Sequence, residues 1–295
     1  MGKTAFLFSG QGAQRAGMGK EFYEHFASVR ALFDAAEELR PGTLQQMFAG
    51  SDDELRQTEN TQPCLYLADL AAAYALRDSG LQPEAVAGFS LGEIPALAFA
   101  GAYDGMTGFR LACARGASMA RAGRNVNASM AAIVKLPDET VERLCAAYDH
   151  VWPVNYNCDG QIAVSGDRDE LERLYADVAA AGGRSMPLNV SGGAILADTV
   201  LQKPALPAYA NRTAEPYGEN VRELLTQQIN HPVRWKETLR HLNEQGFDTF
   251  VECGAGMVLC KLVRKNLPEC RSFAVDSLAG LAKLQEEGLL CCSAT

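Results

Sequence analysis

Short apolar segments alternate with helical patterns along this 295-residue chain, and no other feature constrains its fold as strongly. One apolar run, Thr4–Phe8, leads into a glycine-rich turn, and another, Ala85–Ala87, leads into a second such turn. Alternation of this kind is typical of α/β proteins built on a parallel sheet. At about 150 residues per domain, the length fits two units or one large unit with an insertion.

The rhythm changes between residues 128 and 194. Strand patterns at Met130–Val134, Val151–Asn155, Gln161–Ser165 and Arg184–Asn189 are interleaved with two helical patterns. An Asp-Gly pair at 159–160 separates the middle two strands and favours a tight hairpin. The order β-α-β-β-α-β predicts a ferredoxin-like unit. We therefore predict a large α/β domain formed by 1–127 and 195–295, with 128–194 inserted into it.

Local signals predict the limits of several helices. Ser51 and Glu54 form a capping box, and Pro95 falls in the first turn of a helix, where a missing N–H costs little. A further helical pattern runs from about Thr61 to Arg77, and Pro232 is expected to open another helix.

Composition excludes several classes of protein. Hydrophobic residues make up 47% and charged residues 21%, as in globular chains, and the net charge of -9 gives no basic field for nucleic acid. No apolar stretch is long enough to predict a membrane span, and the N-terminus is typical of a buried strand rather than a signal peptide. Nine cysteines without a C-x-x-C pair or a Cys/His cluster predict reduced thiols, no metal site and a cytoplasmic protein.

A G-x-S-x-G motif at 88–92 lies between a predicted strand and a predicted helix. This context is typical of a nucleophile elbow, in which glycines make room for a strained turn and the serine hydroxyl projects outward. The N–H groups that follow can stabilise an oxyanion. The alternative is an ordinary Gly-Ser turn.

Two other residues are candidates for binding. Gln11 lies in the glycine-rich turn after the first strand, where the alternative is a solvated side chain. Gly10-x-Gly12 is only part of a dinucleotide fingerprint because Arg15 occupies the place of the third glycine. Gly2-Lys3-Thr4 resembles the end of a P-loop, but no loop precedes it.

Arg115 lies on a largely apolar helix face. There it forms either a structural ion pair or a bidentate contact with a carboxylate.

The motifs in this order resemble those of the malonyl-CoA:acyl carrier protein transacylases, which are related to the acyltransferase domains of fatty-acid and polyketide synthases. The resemblance covers nearly the whole chain. It is carried by Phe8-Ser9-Gly10-Gln11-Gly12-Ala13-Gln14 with Gly17-Met18-Gly19, Thr61-Gln62-Pro63, Gly88-Phe89-Ser90-Leu91-Gly92-Glu93, Arg115-Gly116 with Met119, Asn155-Tyr156-Asn157, Gln161 with Ser165-Gly166, Asn189-Val190-Ser191-Gly192, Ala210-Asn211, Pro232-Val233-x-Trp235 and Glu252-Cys253-Gly254-Ala255-Gly256.

The resemblance implies an α/β-hydrolase-like large domain with an inserted ferredoxin-like domain, and a ping-pong transfer of malonyl from malonyl-CoA to acyl carrier protein in fatty-acid synthesis. Ser90 matches the nucleophile, Gln11 and the backbone N–H of Leu91 match the oxyanion hole, and Arg115 matches the residue that pairs with the malonyl carboxylate. Neither a metal nor an organic cofactor is implied. The alternatives are a non-catalytic module that binds acyl groups or carrier protein, and a serine thioesterase, which would need Asp and then His downstream of the serine.

The chain departs from the family at two positions. Phe89 replaces the histidine that usually precedes the nucleophile. The family's general base is a histidine shortly after the motif at 189–192, but the stretch 191–198 contains none, and about one helix of chain is missing near Gly193-Ala194. The four histidines of this chain, which lie elsewhere, are His25, His150, His231 and His241. Only His231 lies beside a family motif.

An acidic carrier protein would require a local basic surface on this acidic chain. Lys261, Arg264 and Lys265 follow Gly256 on a predicted helix and are one candidate. The alternative is an ordinary solvated helix face.

Overall fold

The strands of the protein form two sheets. The structure is a computed structural model that describes residues 2–124, 127–188 and 199–290. Its strands are β1 Lys3–Phe8, β2 Ala85–Gly88, β3 Ala128–Val134, β4 Val151–Cys158, β5 Gln161–Asp167, β6 Arg184–Leu188, β7 Ala208–Tyr209, β8 Phe247–Cys253 and β9 Arg271–Val275. Its helices are α1 Lys20–His25, α2 Ala27–Leu39, α3 Thr43–Ala49, α4 Asp52–Arg56, α5 Thr58–Asp78, α6 Glu93–Phe99, α7 Gly105–Arg124, α8 Asp138–Cys145, α9 Arg168–Ala180, α10 Val221–Gln227, α11 Trp235–Glu244, α12 Val258–Asn266 and α13 Leu278–Glu286.

The larger sheet is parallel, with strand order β7-β2-β1-β8-β9. Its central strand β1 is buried and apolar from Ala5 to Phe8 because both faces of the sheet are covered there. In β1, Phe6 and Phe8 enter one core cluster, whereas Ala5 and Leu7 enter the cluster on the opposite face. The predicted α/β class is confirmed.

The carboxyl ends of the three central strands of this sheet lie level with one another. Phe8 at the end of β1 is in register with Gly88 of β2 and Cys253 of β8. The turns that follow these three strands therefore converge at one edge of the sheet. Ligands of open α/β sheets bind at this edge.

The smaller sheet is antiparallel, with strand order β4-β5-β3-β6 and with α8 and α9 packed on it. This is the strand order of a ferredoxin-like unit, as the sequence predicts. The limits 1–127, 128–194 and 195–295 stay a prediction, because residues 125–126 and 189–198 lie outside the described residues.

Backbone hydrogen bonds and an ion pair join the two sheets. The Tyr156 N–H donates to the Val233 carbonyl at 2.9 Å, and the Val233 N–H donates to the Val154 carbonyl at 2.9 Å. Lys236 of α11 forms an ion pair with Asp138 at the start of α8. These contacts fix β4 beside the segment that leads into α11.

Several local predictions are confirmed and two are wrong in detail. The Ser51 hydroxyl accepts a hydrogen bond from the Glu54 N–H, and Pro95 lies in the first turn of α6. However, α5 begins at Thr58 rather than Thr61. Pro232 does not open α11, which begins at Trp235, because the residues after Pro232 first pair with β4.

Other global features concern the described residues only. No helix among them is both long and apolar enough to cross a membrane. The seven cysteines of this part of the chain are free thiols, and it holds no group of three His, Cys, Asp or Glu residues arranged to bind a metal ion.

Candidate active site

Ser90 occupies a strained turn at the carboxyl edge of the large sheet. Its φ is +54°, a left-handed conformation that is unfavourable for a side chain-bearing residue. The flanking glycines are required by close packing. A Cβ on Gly88 would lie 1.9 Å from the Gly92 carbonyl oxygen, and a Cβ on Gly92 would lie 2.1 Å from the Phe8 carbonyl oxygen. These features match the geometry of a nucleophile elbow and favour it over an ordinary Gly-Ser turn, and the role of Ser90 as the nucleophile stays a prediction.

The backbone of Ser90 is held on both sides by buried amide side chains. The Ser90 N–H donates to Asn211 Oδ1 at 2.7 Å. The Ser90 carbonyl accepts from Gln228 Nε2 at 2.5 Å. Both amide residues are buried, which makes these bonds costly to lose.

Arg115 reaches the serine from helix α7. Its Nη2 lies 3.4 Å from Ser90 Oγ and 3.4 Å from Gln228 Oε1. No carboxylate of the described residues forms an ion pair with this guanidinium, and its buried Nε–H finds no acceptor in that part of the chain. The geometry therefore favours the anion-binding interpretation over a structural ion pair.

The charge of Arg115 persists at neutral pH. Burial lowers the pKa of its guanidinium to about 10, and the Glu93 carboxylate opposes this shift. A partly buried cation with unused donors can bind a substrate carboxylate strongly, since little water competes for it.

Gln11 lies in the turn after β1. Its side-chain Nε2 donates to Thr58 Oγ1 at 3.2 Å, so the side-chain amide is held by α5. The preceding residue, Gly10, packs against the elbow, because a Cβ on it would lie 2.7 Å from the Phe89 carbonyl oxygen. This glycine therefore allows the backbone to approach the elbow and not a ligand.

A cavity of about 600 Å³ opens between the two sheets at this edge. Ser90, Gln11 and Arg115 line it together, whereas the buried side chain of Leu91 does not. Its remaining walls are formed by Phe89, Met119, Met130, Trp152, Pro153, Val154, Asn155, Tyr156, Ser165, Gln228, Ile229, Asn230, His231, Pro232 and Val233. The structure thus brings the three predicted side chains to one cavity of the size of a small-molecule site.

Of the four histidines, only His231 lines this cavity. Its Nδ1 lies 2.8 Å from the Gln227 carbonyl oxygen, a position that favours the tautomer with Nε2 free to accept. His25 and His150 are exposed elsewhere, and His241 contacts the Ala214 carbonyl at the opposite edge of the sheet. The stretch 191–198, in which the family's histidine is missing, lies outside the described residues.

The sequence alone predicted no role for three residues of the site. Asn211 and Gln228 bind the serine backbone, and Glu93 lies buried beneath it. Burial raises the pKa of Glu93 to about 7, although the Tyr217 hydroxyl and the Asn211 N–H donate to its carboxylate. An Ala-Asn pair after a strand and an acidic residue after the elbow were the only signals in the sequence.

The predicted basic surface lies on α12. Lys261, Arg264 and Lys265 are all exposed, and none of them lines the cavity. Lys265 Nζ lies 3.0 Å from Gln161 Oε1 of the smaller sheet, so this face spans the junction between the two sheets.

Comparison with known proteins identifies the fold and its relatives. Residues 5–291 match the acyl transferase domain family. The chain is 35% identical to the malonyl CoA-acyl carrier protein transacylase of Bacillus subtilis (strain 168), with 94% of each chain covered. That alignment spans 302 positions, more than all 295 residues of this chain, so the relative has residues for which this chain has no counterpart.

Solved structures give the same result. The chain is similar to malonyl CoA-acyl carrier protein transacylase from Clostridium perfringens, with a TM-score of 0.91, 31% identity and coverage of 97% of this chain and 96% of that chain. It is also similar to the malonyl-transacylase in a complex with a type II PKS acyl-carrier protein, with a TM-score of 0.90, 31% identity and coverage of 97% and 99%.

Proposed function

The chain belongs to the malonyl CoA-acyl carrier protein transacylase family, and we propose that it transfers malonyl from malonyl-CoA to the phosphopantetheine thiol of acyl carrier protein through a malonyl-serine. The observation that carries this proposal is the position of Arg115 Nη2, 3.4 Å from the hydroxyl of a strained serine at the mouth of a cavity. A reactive hydroxyl beside a guanidinium that forms no ion pair within the described residues suits an acyl group with a free carboxylate.

In the first half-reaction, Ser90 Oγ attacks the thioester carbonyl. The C–S bond breaks, the ester forms, and the CoA thiolate leaves. Backbone N–H groups of Leu91 and Gln11 stabilise the oxyanion in this proposal, since the Gln11 side chain is already held by Thr58. In the second half-reaction, the carrier thiol attacks the ester carbonyl. The new C–S bond forms, the C–Oγ bond breaks, and the proton lost by the thiol restores the Ser90 hydroxyl.

The Ser90 proton needs an acceptor, and the sequence lacks the family's histidine. Without a general base, acylation by Ser90 is expected to be slower by about 10²- to 10⁴-fold, with hydroxide taking the proton as the pH rises. A catalytically impaired relative that binds acyl groups or carrier protein is therefore the second candidate function. The two candidates differ in whether Ser90 becomes acylated.

Transfer to acyl carrier protein and to free pantetheine tests the proposal. Ser90→Ala should abolish transfer to both acceptors, because the covalent intermediate cannot form. Ser165→Ala is the matched control, since this second serine lines the same cavity and its hydroxyl donates to the Ser129 carbonyl. Equal loss in both variants, or transfer by Ser90→Ala, would contradict the proposal.

The carrier protein is proposed to dock on the face defined by Lys261, Arg264 and Lys265. These cations are exposed, and they would complement an acidic partner. Reversing all three charges should slow transfer to carrier protein and leave transfer to pantetheine unchanged. An equal loss of transfer to both acceptors would contradict the proposal that carrier protein docks on this face. The proposed setting is the cytoplasm, with fatty-acid synthesis as the process.

A further inference from the structure

The side chain of Asn211 bridges the two ends of the elbow. Its Oδ1 accepts from the Ser90 N–H at 2.7 Å, and its Nδ2 donates to the Gly88 carbonyl at 2.5 Å. One carboxamide thus binds the last residue of β2 and the residue at positive φ two positions later.

Asn211 extends the strand pairing beyond the end of β7. The ladder between β7 and β2 includes only the pairs of Val86 with Ala208 and of Ala87 with Tyr209. Gly88 lies one residue past this ladder, and the Asn211 side chain supplies the hydrogen bond that a longer strand would have made. The side chain therefore replaces backbone pairing at the point where the chain turns.

The orientation of Asn211 is itself fixed by buried hydrogen bonds. Its N–H donates to Glu93 Oε1 at 2.8 Å, and its carbonyl accepts from the Arg234 N–H at 2.9 Å. The same Glu93 oxygen accepts from the Tyr217 hydroxyl at 2.6 Å. With Asn211 2% exposed, no water competes for these groups.

Strained backbone at a site persists only where the surroundings over-determine it, because it costs about 1–3 kcal/mol. Removing the carboxamide leaves the Ser90 N–H and the Gly88 carbonyl without this partner, and the turn can relax. A shift of about 1 Å in a reacting atom can cost about 100-fold in rate.

We propose that Asn211 is a positioning residue, whose carboxamide holds the elbow so that Ser90 Oγ points into the cavity. Glu93 accepts a hydrogen bond from the Asn211 N–H and is itself held by the Tyr217 hydroxyl, so both residues help to orient Asn211. This inference rests on the proposed role of Ser90 as the nucleophile. It does not depend on Arg115 or on which acyl group is bound.

The test measures, at high pH where hydroxide can take the serine proton, how fast Ser90 reacts with a small fluorophosphonate, an electrophile that phosphonylates nucleophilic serines without needing a malonyl group. The variant Asn211→Asp keeps an oxygen for the Ser90 N–H but cannot donate to the Gly88 carbonyl. Its labelling rate per folded molecule should fall by about 10- to 100-fold. Tyr217→Phe, two steps from the serine, should lower the rate by only about 2- to 5-fold.

Two controls separate positioning from general destabilisation. Asn243→Asp removes a similar donation, from Asn243 Nδ2 to the Phe247 carbonyl at 3.2 Å, at the far edge of the sheet, and it should leave labelling unchanged. In a Ser90→Ala background, Asn211→Asp should change the dissociation constant of malonyl-CoA by less than about 3-fold, since the cavity wall is kept.

The outcomes are distinguishable. Wild-type labelling at Ser90 together with slow labelling of Asn211→Asp and intermediate labelling of Tyr217→Phe supports the inference. If the Asn211→Asp variant does not fold, the labelling rate of Tyr217→Phe alone tests the inference. Variants that label as fast as the wild type overturn the inference and leave the proposed function standing. A labelled wild type that never transfers malonyl overturns the proposed function alone, and an unlabelled wild type overturns both.

Discussion

The two walls of the cavity differ in chemistry. The wall from the large sheet carries Ser90, Arg115 and Gln228, which contact one another and are at least partly buried. The wall from the small sheet presents neutral side chains, among them Trp152, which is 54% exposed. Among the described residues that line the cavity, Ser90 and the charged Arg115 thus lie on one wall, whereas the other wall shapes the cavity and is open to solvent.

This difference predicts how substitutions act. Changes in the wall of the large sheet should alter rates and the choice of acyl group, because those residues contact the reacting atoms in the proposed mechanism. Changes in the wall of the small sheet should alter substrate affinity, because its side chains offer contact area without charge.

The largest effect is expected from restoring the missing base. Inserting a loop and helix bearing Phe-His-Ser between Gly193 and Ala194 should raise turnover near neutral pH by about 10²- to 10⁴-fold. The same insertion with alanine in place of its histidine is the control, and steady-state rates across pH are the measurement.

A different outcome would identify another base. The uninserted protein should acylate faster as the pH rises and should turn over slowly at neutral pH. If it instead turns over at ordinary enzyme rates near neutral pH, and His231→Ala removes that activity, His231 accepts the proton. A reactive group would then also lie where the two walls meet.

The next effect concerns stability and the buried carboxyl of Glu93. Burial raises its pKa from 4.5 to about 7, so between these values the folded protein holds a proton that the unfolded chain releases. The free energy of unfolding of wild type relative to Glu93→Gln should therefore fall from pH 4.5 to pH 7, by up to about 3 kcal/mol. Urea denaturation at several pH values measures it.

The exposed Glu219 provides the control for this pH series. Relative to Glu219→Gln, the unfolding free energy of wild type should show no such trend. A flat difference between wild type and Glu93→Gln would mean that Glu93 stays ionised in the fold.

Arg115→Ala should change the choice of acyl group. An arginine–carboxylate pair in a partly desolvated site contributes roughly 1.5–3 kcal/mol, so malonyl transfer should fall by about 10- to 100-fold. Acetyl transfer should lose little, because acetyl has no carboxylate. Initial rates with both thioesters are the measurement, and Arg110→Ala on the exposed face of the same helix is the control. A parallel fall for malonyl and acetyl would show that Arg115 is structural.

The smallest effect is expected at the small-sheet wall. Trp152→Ala should raise KM for malonyl-CoA by up to about 5-fold, which corresponds to losing roughly 1 kcal/mol of apolar contact. The value of kcat should stay unchanged, and Trp152→Phe should retain most of the affinity. A fall in kcat without a change in KM would break the division between the walls.

The features that could be predicted from the sequence are local ones. The G-x-S-x-G motif predicted the elbow because the turn needs both of its glycines within five consecutive residues. The hairpin at Asp159-Gly160 could be predicted because this pair favours a tight turn. The positions of Gln11 and Arg115 in one cavity followed from the family resemblance and not from periodicity.

Contacts between distant segments could not be predicted. Asn211 meets Ser90 across 121 positions of chain and Gln228 meets it across 138, and neither contact has a local pattern. The start of α11 at Trp235 was missed for the same reason, since the pairing of Val233 with β4 delays the helix. Tertiary pairing overrides local helix signals at such places.

Acylation of Ser90 by malonyl is the central claim, and intact mass spectrometry tests it most directly. We expect the purified protein to gain the mass of one malonyl group after incubation with malonyl-CoA, slowly at neutral pH and faster at high pH. Peptide mapping should place that group on Ser90, and Ser90→Ala should gain none. A wild type that gains no mass at any pH, or a Ser90→Ala protein that gains the same mass, would contradict the account.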